Sequence, residues 1–116
     1  MNNRVFAEDM ALVIGSADKV PTKLEFPLVI SKDFRDVSVL VLSLSNRAIN
    51  VLGRNKVATL GDLMDRFDEV PRFRNCGEGT SREIKNEFLA FWYNNLEPED
   101  ITRFWEEFID VNGMAA

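Results

Sequence analysis

Leu42-Ser43-Leu44-Ser45-Asn46-Arg47-Ala48-Ile49-Asn50-Val51-Leu52, then Thr59-Leu60-Gly61-Asp62-Leu63, then Arg74-Asn75-Cys76-Gly77-Glu78-Gly79-Thr80 and Glu83-Ile84-Lys85 form the stretch that decides the fold. It reads as helix, short turn, helix, then a glycine-bracketed hairpin feeding a long amphipathic helix. Ser43 or Ser45 is placed to cap the first helix by accepting a backbone hydrogen bond. On that helix Ile49, Leu52 and either Ala48 or Val51 make an inward stripe, while Arg47, Asn50 and Arg54 share the opposite face at i, i+3 and i+7. Thr59 caps a second short helix, Leu60 to Phe67. Residues 68–73 make a turn or a single helical turn, limited by Pro71. From Ser81 to Asn95 the apolar residues Ile84, Phe88, Phe91 and Trp92 recur with a helical period.

The hairpin carries the chemistry. Gly77 and Gly79 permit positive φ, and their missing side chains let a ligand come close to the backbone. The first N–H groups of a helix lack partners inside it and lie at the positive end of its dipole, so they suit a phosphate oxygen, to which Thr80 adds a hydroxyl. The plain alternative is a turn with a glycine and a helix cap. Taken alone, an exposed Arg47 and Asn50 are likewise ordinary solvated residues.

These motifs, in this order and near this spacing, resemble the C-terminal domain of the bacterial RNA polymerase alpha subunit, a helix-hairpin-helix type of domain. The resemblance covers about half of the sequence. It implies a domain that binds A·T-rich upstream promoter DNA and contacts transcription activators. In that family an arginine at the place of Arg47 enters the minor groove, and an asparagine three residues later, here Asn50, supports it. A narrow A-tract groove concentrates negative potential and attracts a guanidinium. The resemblance also makes residues 26–42 a non-helical wrap packed on the domain, and leaves residues 1–25 unassigned. Two departures stand out. Glu78 and Gly79 replace two basic residues of the family, so fewer counterions are released on binding. Val51 replaces a small residue. Arg54, Lys56, Arg72, Arg74 and Arg82 restore the charge only if they face the same side. DNA affinity is therefore expected to be weak and strongly salt-dependent.

Working outward, the 116 residues suffice for one small domain, or one domain with an arm. A hydrophobic content of 46% with nine Phe supports a real core rather than general disorder. The formal net charge is −5. That acidity lies mainly outside the motif: residues 42–96 hold eight Lys/Arg against seven Asp/Glu, and residues 97–116 hold six acids against Arg103 alone. Local patches rather than net charge decide contact. The absence of histidine removes the commonest general base and transition-metal ligand. A single cysteine excludes an internal disulfide and any Cys-based zinc site, which fits a reducing cytoplasm. Cys76 is read as a packing residue. Asp62, Asp65, Asp68 and Glu69 lack Ca-loop spacing and are read as a solvated face. No cofactor, metal, small-molecule substrate or enzymatic activity is expected, nor a membrane span; Glu8 and Asp9 fall where a signal peptide would be apolar.

Phe6 to Ile14 reads as a short helix closed by Gly15. Lys23 to Ile30 and Val37 to Leu42 look extended, leaving room for a small hairpin across Ser31–Asp36. Pro98, Glu99 and Asp100 suit a helix start, Ile101, Phe104, Trp105, Phe108 and Ile109 form a strong stripe, and Gly113 ends that helix. The stripe either packs on the protein's own core or offers Phe104, Trp105 and Phe108 to a partner. The expected architecture is thus mainly α: an N-terminal arm over 1–41, a helix-hairpin-helix core of four to five helices over 42–96, and an acidic amphipathic helix over 97–116. Two functions follow. The first is a cytoplasmic, transcription-associated DNA-binding domain using Arg47, Asn50, Gly77, Gly79, Thr80, Arg54 and Arg82 on double-stranded DNA. The second is a protein-interaction module of the same fold, contacting polymerase or a regulator without DNA. The polymerase subunit has a large assembly domain for which 116 residues leave no room, so an excised piece or a free-standing relative is expected.

Overall fold

The computed structural model describes residues 6–17, 19–28 and 32–114, the side chains of Lys32 and Asp33 excepted. Within them the protein is mainly helical: α1 Phe6–Gly15, α2 Lys32–Arg35, α3 Asn46–Arg54, α4 Leu60–Asp65, α5 Glu78–Asn94 and α6 Pro98–Val111. Two 3₁₀ segments, Val39–Val41 and Phe67–Arg72, complete the order. The described residues contain no strand, only an isolated antiparallel bridge between Ser38 and Thr59. In place of the possible hairpin, residues 32–35 turn as α2. Ser38 then caps the first 3₁₀ segment by accepting the Leu40 N–H. Short polar caps thus win over the extended bias of the Val and Leu run. Val29, Ile30 and Ser31, parts of the expected extended stretch and hairpin, lie outside the described residues.

Two compact units make up the molecule, residues 30–91 and residues 1–29 with 92–116. Residues 30–41 fall in the same unit as residues 42–91.

In the unit of residues 30–91, each member of Thr59-Leu60-Gly61-Asp62-Leu63 has a distinct physical task. Thr59 accepts the Asp62 N–H and Asp62 accepts the Thr59 N–H, closing a reciprocal cap on α4. The backbone N–H of Ala58 also donates to the Asp62 carboxylate at 3.1 Å. Leu60 and Leu63 are fully buried, each contributing about 1.5–3 kcal/mol by leaving water. Gly61 admits α2: a Cβ there would meet the Cβ of Arg35 at 2.9 Å and its carbonyl oxygen at 3.0 Å. Arg35 in turn grips Asp65 at 3.0 and 2.6 Å through both guanidinium nitrogens. That pairing holds the Asp65 carboxyl below its ordinary range. Helix α4 stops at Asp65, and Phe67–Arg72 tightens into the 3₁₀ segment containing Pro71. Phe67 and Val70 from that segment join Phe88 and Ile84 of α5 in the core.

In the other unit aromatic rings dominate. Phe104 packs edge-on to Trp92 at 4.8 Å, and Phe6 stacks on Trp105 at 5.7 Å. Phe26 meets Phe108 at 5.6 Å. Trp105 Nε1 donates to the Tyr93 hydroxyl, which donates to Asp9, so the polar tips of both rings have partners. Helix α6 ends on Gly113 at φ +63, as its glycine suggests. Gly15 closes α1 without taking a positive φ.

Candidate nucleic-acid interface

Helix α3 is fixed at both ends. At its start, Ser45 caps the helix by accepting the Ala48 N–H. The Ser45 N–H and hydroxyl donate to the two carboxylate oxygens of Glu83 on α5, at 2.6 and 2.8 Å. Charge-assisted bonds of this kind are stronger than neutral ones, and a carboxylate there also complements the α3 dipole. At the far end Asn55, the C-cap, donates to the Val51 and Arg74 carbonyls and accepts the Arg74 N–H. The Arg66 guanidinium donates to the Asn55 carbonyl and also stacks over the Phe73 ring at 4.6 Å. Arg74 and Glu83 are therefore tied to opposite ends of α3.

Between these clasps Ala48, Val51 and Leu52 are buried and Ile49 is half-buried, while Arg47, Asn50 and Arg54 are exposed. The inward stripe thus uses both of its alternatives, and the polar face is the expected one. No described carboxylate pairs with Arg47 or Arg54.

The hairpin departs from expectation in three respects. Gly77 and Gly79 do not take positive φ; the left-handed residue of the turn is Asn75, at φ 61, a residue type that tolerates this conformation. Open space surrounds both glycines, since a Cβ at either would meet nothing within 4 Å. Helix α5 begins at Glu78, three residues before the expected start, with the Gly77 carbonyl accepting the Ser81 N–H. Thr80 therefore lies inside the first turn and is 7% exposed, as is Ser81. Its side chain is not the surface hydroxyl expected, and what it offers at the helix start is its N–H. Arg82 is ion-paired to Glu78 at 3.1 Å, so its charge is partly offset.

Two helix starts thus stand near the Ser45–Glu83 clasp, and they differ. The start of α3 is occupied, its cap and the Glu83 carboxylate having taken the Ser45 and Ala48 N–H groups. The start of α5 is open at Gly77 and Gly79, beside a Glu78 side chain that is 90% exposed.

The remaining candidate residues are otherwise employed. Asp62, Asp65 and Glu69 are engaged by backbone N–H groups, Arg35 and Arg66 respectively. Among the described residues no group of three His, Cys, Asp or Glu side chains converges to hold a metal ion. Burial pushes the Cys76 thiol up, which lowers its thiolate fraction. Phe104 and Phe108 are buried in their own unit, and Trp105 is half-buried against Phe6 and Tyr93. Those rings are spent on the fold rather than held out as an apolar surface. No described helix is long and apolar enough to cross a membrane. Asn55 escapes sequence reading: an asparagine at a helix end is a local signal, but its partner 19 residues away is not.

Known proteins resemble this one. The family of the C-terminal domain of the bacterial RNA polymerase alpha chain matches residues 30–89. A DNA-directed RNA polymerase subunit alpha from Borreliella burgdorferi is 30% identical over 90 residues, covering 76% of this chain and 26% of that protein. The subunit from Borrelia garinii subsp. bavariensis is 28% identical over 88 residues, covering 75% and 26%. The chain thus spans about a quarter of the length of these relatives. No solved structure matches it.

Proposed function

From the premise that this protein belongs to the family of C-terminal domains of the bacterial RNA polymerase alpha subunit, we propose that it is a transcription-associated module that binds duplex DNA. Arg47 enters an A·T-rich minor groove, Asn50 supports it from one turn further along α3, and Arg54 continues the same face. The N–H groups at the start of α5, reached past Gly77 and Gly79, receive a neighbouring phosphate. Polymerase and transcription regulators are its protein partners, and the module itself has no catalytic role.

One observation carries this reading. The Ser45–Glu83 clasp anchors the first turn of α3, which bears Arg47, to the second turn of α5, whose start bears the glycines. A guanidinium and an anion seat held by one rigid link suit a single duplex. The resemblance in sequence and the exposure of Arg47 and Asn50 agree with it. Glu78 favours a second reading, in which the fold serves only protein contacts, because an exposed acid beside the seat repels phosphate.

Titration of A·T-rich and G·C-rich duplexes into the wild type and Arg47→Ala, each at two salt concentrations, decides between them. Groove reading predicts preference for A·T, steep weakening with salt, and loss of most affinity and of the preference in the variant. Equal, negligible binding by both proteins would overturn groove reading and favour the interaction module instead.

A further inference from the structure

The described cationic side chains of residues 30–91 fall into two groups. Arg35, Arg66 and Arg82 have carboxylate partners, and Lys85 lies over the Phe67 ring. Arg47, Arg54, Lys56, Arg72 and Arg74 have no carboxylate partner among the described residues, and all five are exposed. Three of these five gather at one place. Arg54 and Lys56 flank Asn55, and Asn55 holds Arg74 by its N–H at 3.1 Å and its carbonyl at 3.3 Å.

The backbone at Lys56 supplies a second, independent observation. Helix α3 ends with the Lys56 N–H bonded to the Gly53 carbonyl and the Val57 N–H to the Leu52 carbonyl. This bonding pattern requires a left-handed residue just past the cap, a place that favours glycine. Lys56 occupies it at φ 61. Helix α6 ends in the same way: the Gly113 N–H bonds to Asp110 and the Met114 N–H to Ile109, and there the left-handed residue is glycine. A long cationic side chain is thus kept where the fold alone would take a glycine. Strain of this kind is a reason to look for a function.

We propose that Arg54, Lys56 and Arg74, gathered around Asn55, form a second phosphodiester-binding site for duplex DNA at the C-terminal end of α3. This rests on the reading that residues 30–91 bind DNA. An α-helix rises about 1.5 Å per residue, so the seven residues from Arg47 to Arg54 span about 10 Å along the axis. On one strand that distance corresponds to about three phosphates. The site lies far enough along α3 to grip backbone that Arg47 does not touch. It supplies the cationic charge that Glu78 and Gly79 withhold at the start of α5.

The test compares the wild type, Arg47→Ala, the triple variant Arg54→Gln/Lys56→Asn/Arg74→Gln, and Lys56→Gly. Affinity for A·T-rich and G·C-rich duplexes is measured across a salt series, with thermal melting followed by circular dichroism. Asparagine at position 56 tolerates the left-handed backbone, so the triple variant keeps its fold. Each lost phosphate contact reduces the slope of log affinity against log salt by about 0.9. The triple variant should therefore lose about two to three from that slope, bind both duplexes more weakly by one common factor, and keep the A·T preference. Lys56→Gly should melt higher yet bind more weakly, which no folding defect can produce. An unchanged slope and affinity in the triple variant would overturn this site while leaving the Arg47 reading intact. A flattened slope in the triple variant, with Arg47→Ala indistinguishable from wild type, would uphold this site and remove groove reading. Absence of salt-dependent binding by the wild type to either duplex overturns both.

Discussion

Helices α3 and α6 end in the same device, with one residue exchanged. At the end of α3, Asn55 bonds the Val51 carbonyl four residues back and both backbone polar groups of Arg74. At the end of α6, Asn112 bonds the Phe108 carbonyl four residues back and both backbone polar groups of Glu25. In each case a left-handed residue follows and then a buried apolar one, Val57 or Met114. The exchanged residue is Lys56 against Gly113. One clasp closes a unit whose outer face carries unpaired cations; the other closes a unit filled with aromatic rings and carrying acids outside. The comparison separates what a helix end needs in order to stop from what the surface around it is kept for.

The largest way to strain that contrast is through the rings. Phe108 is fully buried beside the Asn112 clasp, and Phe108→Ala should cost about 3–5 kcal/mol, read as a lower urea midpoint. A loss below about 1 kcal/mol would mean that the aromatic cluster does not hold α6. The shared device is tested by Asn55→Ala and Asn112→Ala. Each leaves a backbone N–H and carbonyl without its partner and should cost about 1–3 kcal/mol. A marked inequality between them would show that only one clasp bears on stability.

The exchanged residue itself gives a smaller effect of opposite sign at the two ends. Lys56→Gly should stabilise by about 1 kcal/mol and Gly113→Lys should destabilise by about as much. Both are measured by equilibrium denaturation, and matching signs would refute the strain at Lys56.

Smallest is a pH effect confined to α4. The N–H groups of Ala58 and Thr59 hold the Asp62 carboxyl below its ordinary value of 3.8. A carboxyl depressed on folding lends stability at pH above its unfolded value, and that stability is lost as pH falls through the folded value. Denaturation midpoints should therefore fall on acidification below about pH 4, less steeply in Asp62→Asn. Equal slopes in the two proteins would remove Asp62 from the low-pH loss.

Local signals in the sequence carry far. Thr59 marks the cap of α4, Pro98 and Gly113 bracket α6, and the 3.6-residue periods give α3 and α5 with their buried faces. All of these depend on neighbours within one or two turns. The site is legible only as far as α3 extends, where spacing alone sets Arg47, Asn50 and Arg54 on one face. The start of α5 lies three residues earlier than its apolar period suggests, and Thr80 moves inward with it. Helix propensity at Glu78 and Gly79 is too weak a guide there, and the hairpin's left-handed residue is Asn75 rather than either glycine.

By itself, then, the sequence determined a mainly helical protein, the resemblance that points to its family, and the polar face of α3, because periodicity, capping and turn chemistry are encoded within a few residues. Only the tertiary structure decided that Glu83 would reach Ser45 across 38 positions and that Asn55 would hold Arg74. A hydrogen bond between distant residues depends on where the packed core leaves its partners, and that position exists only once the polypeptide has folded.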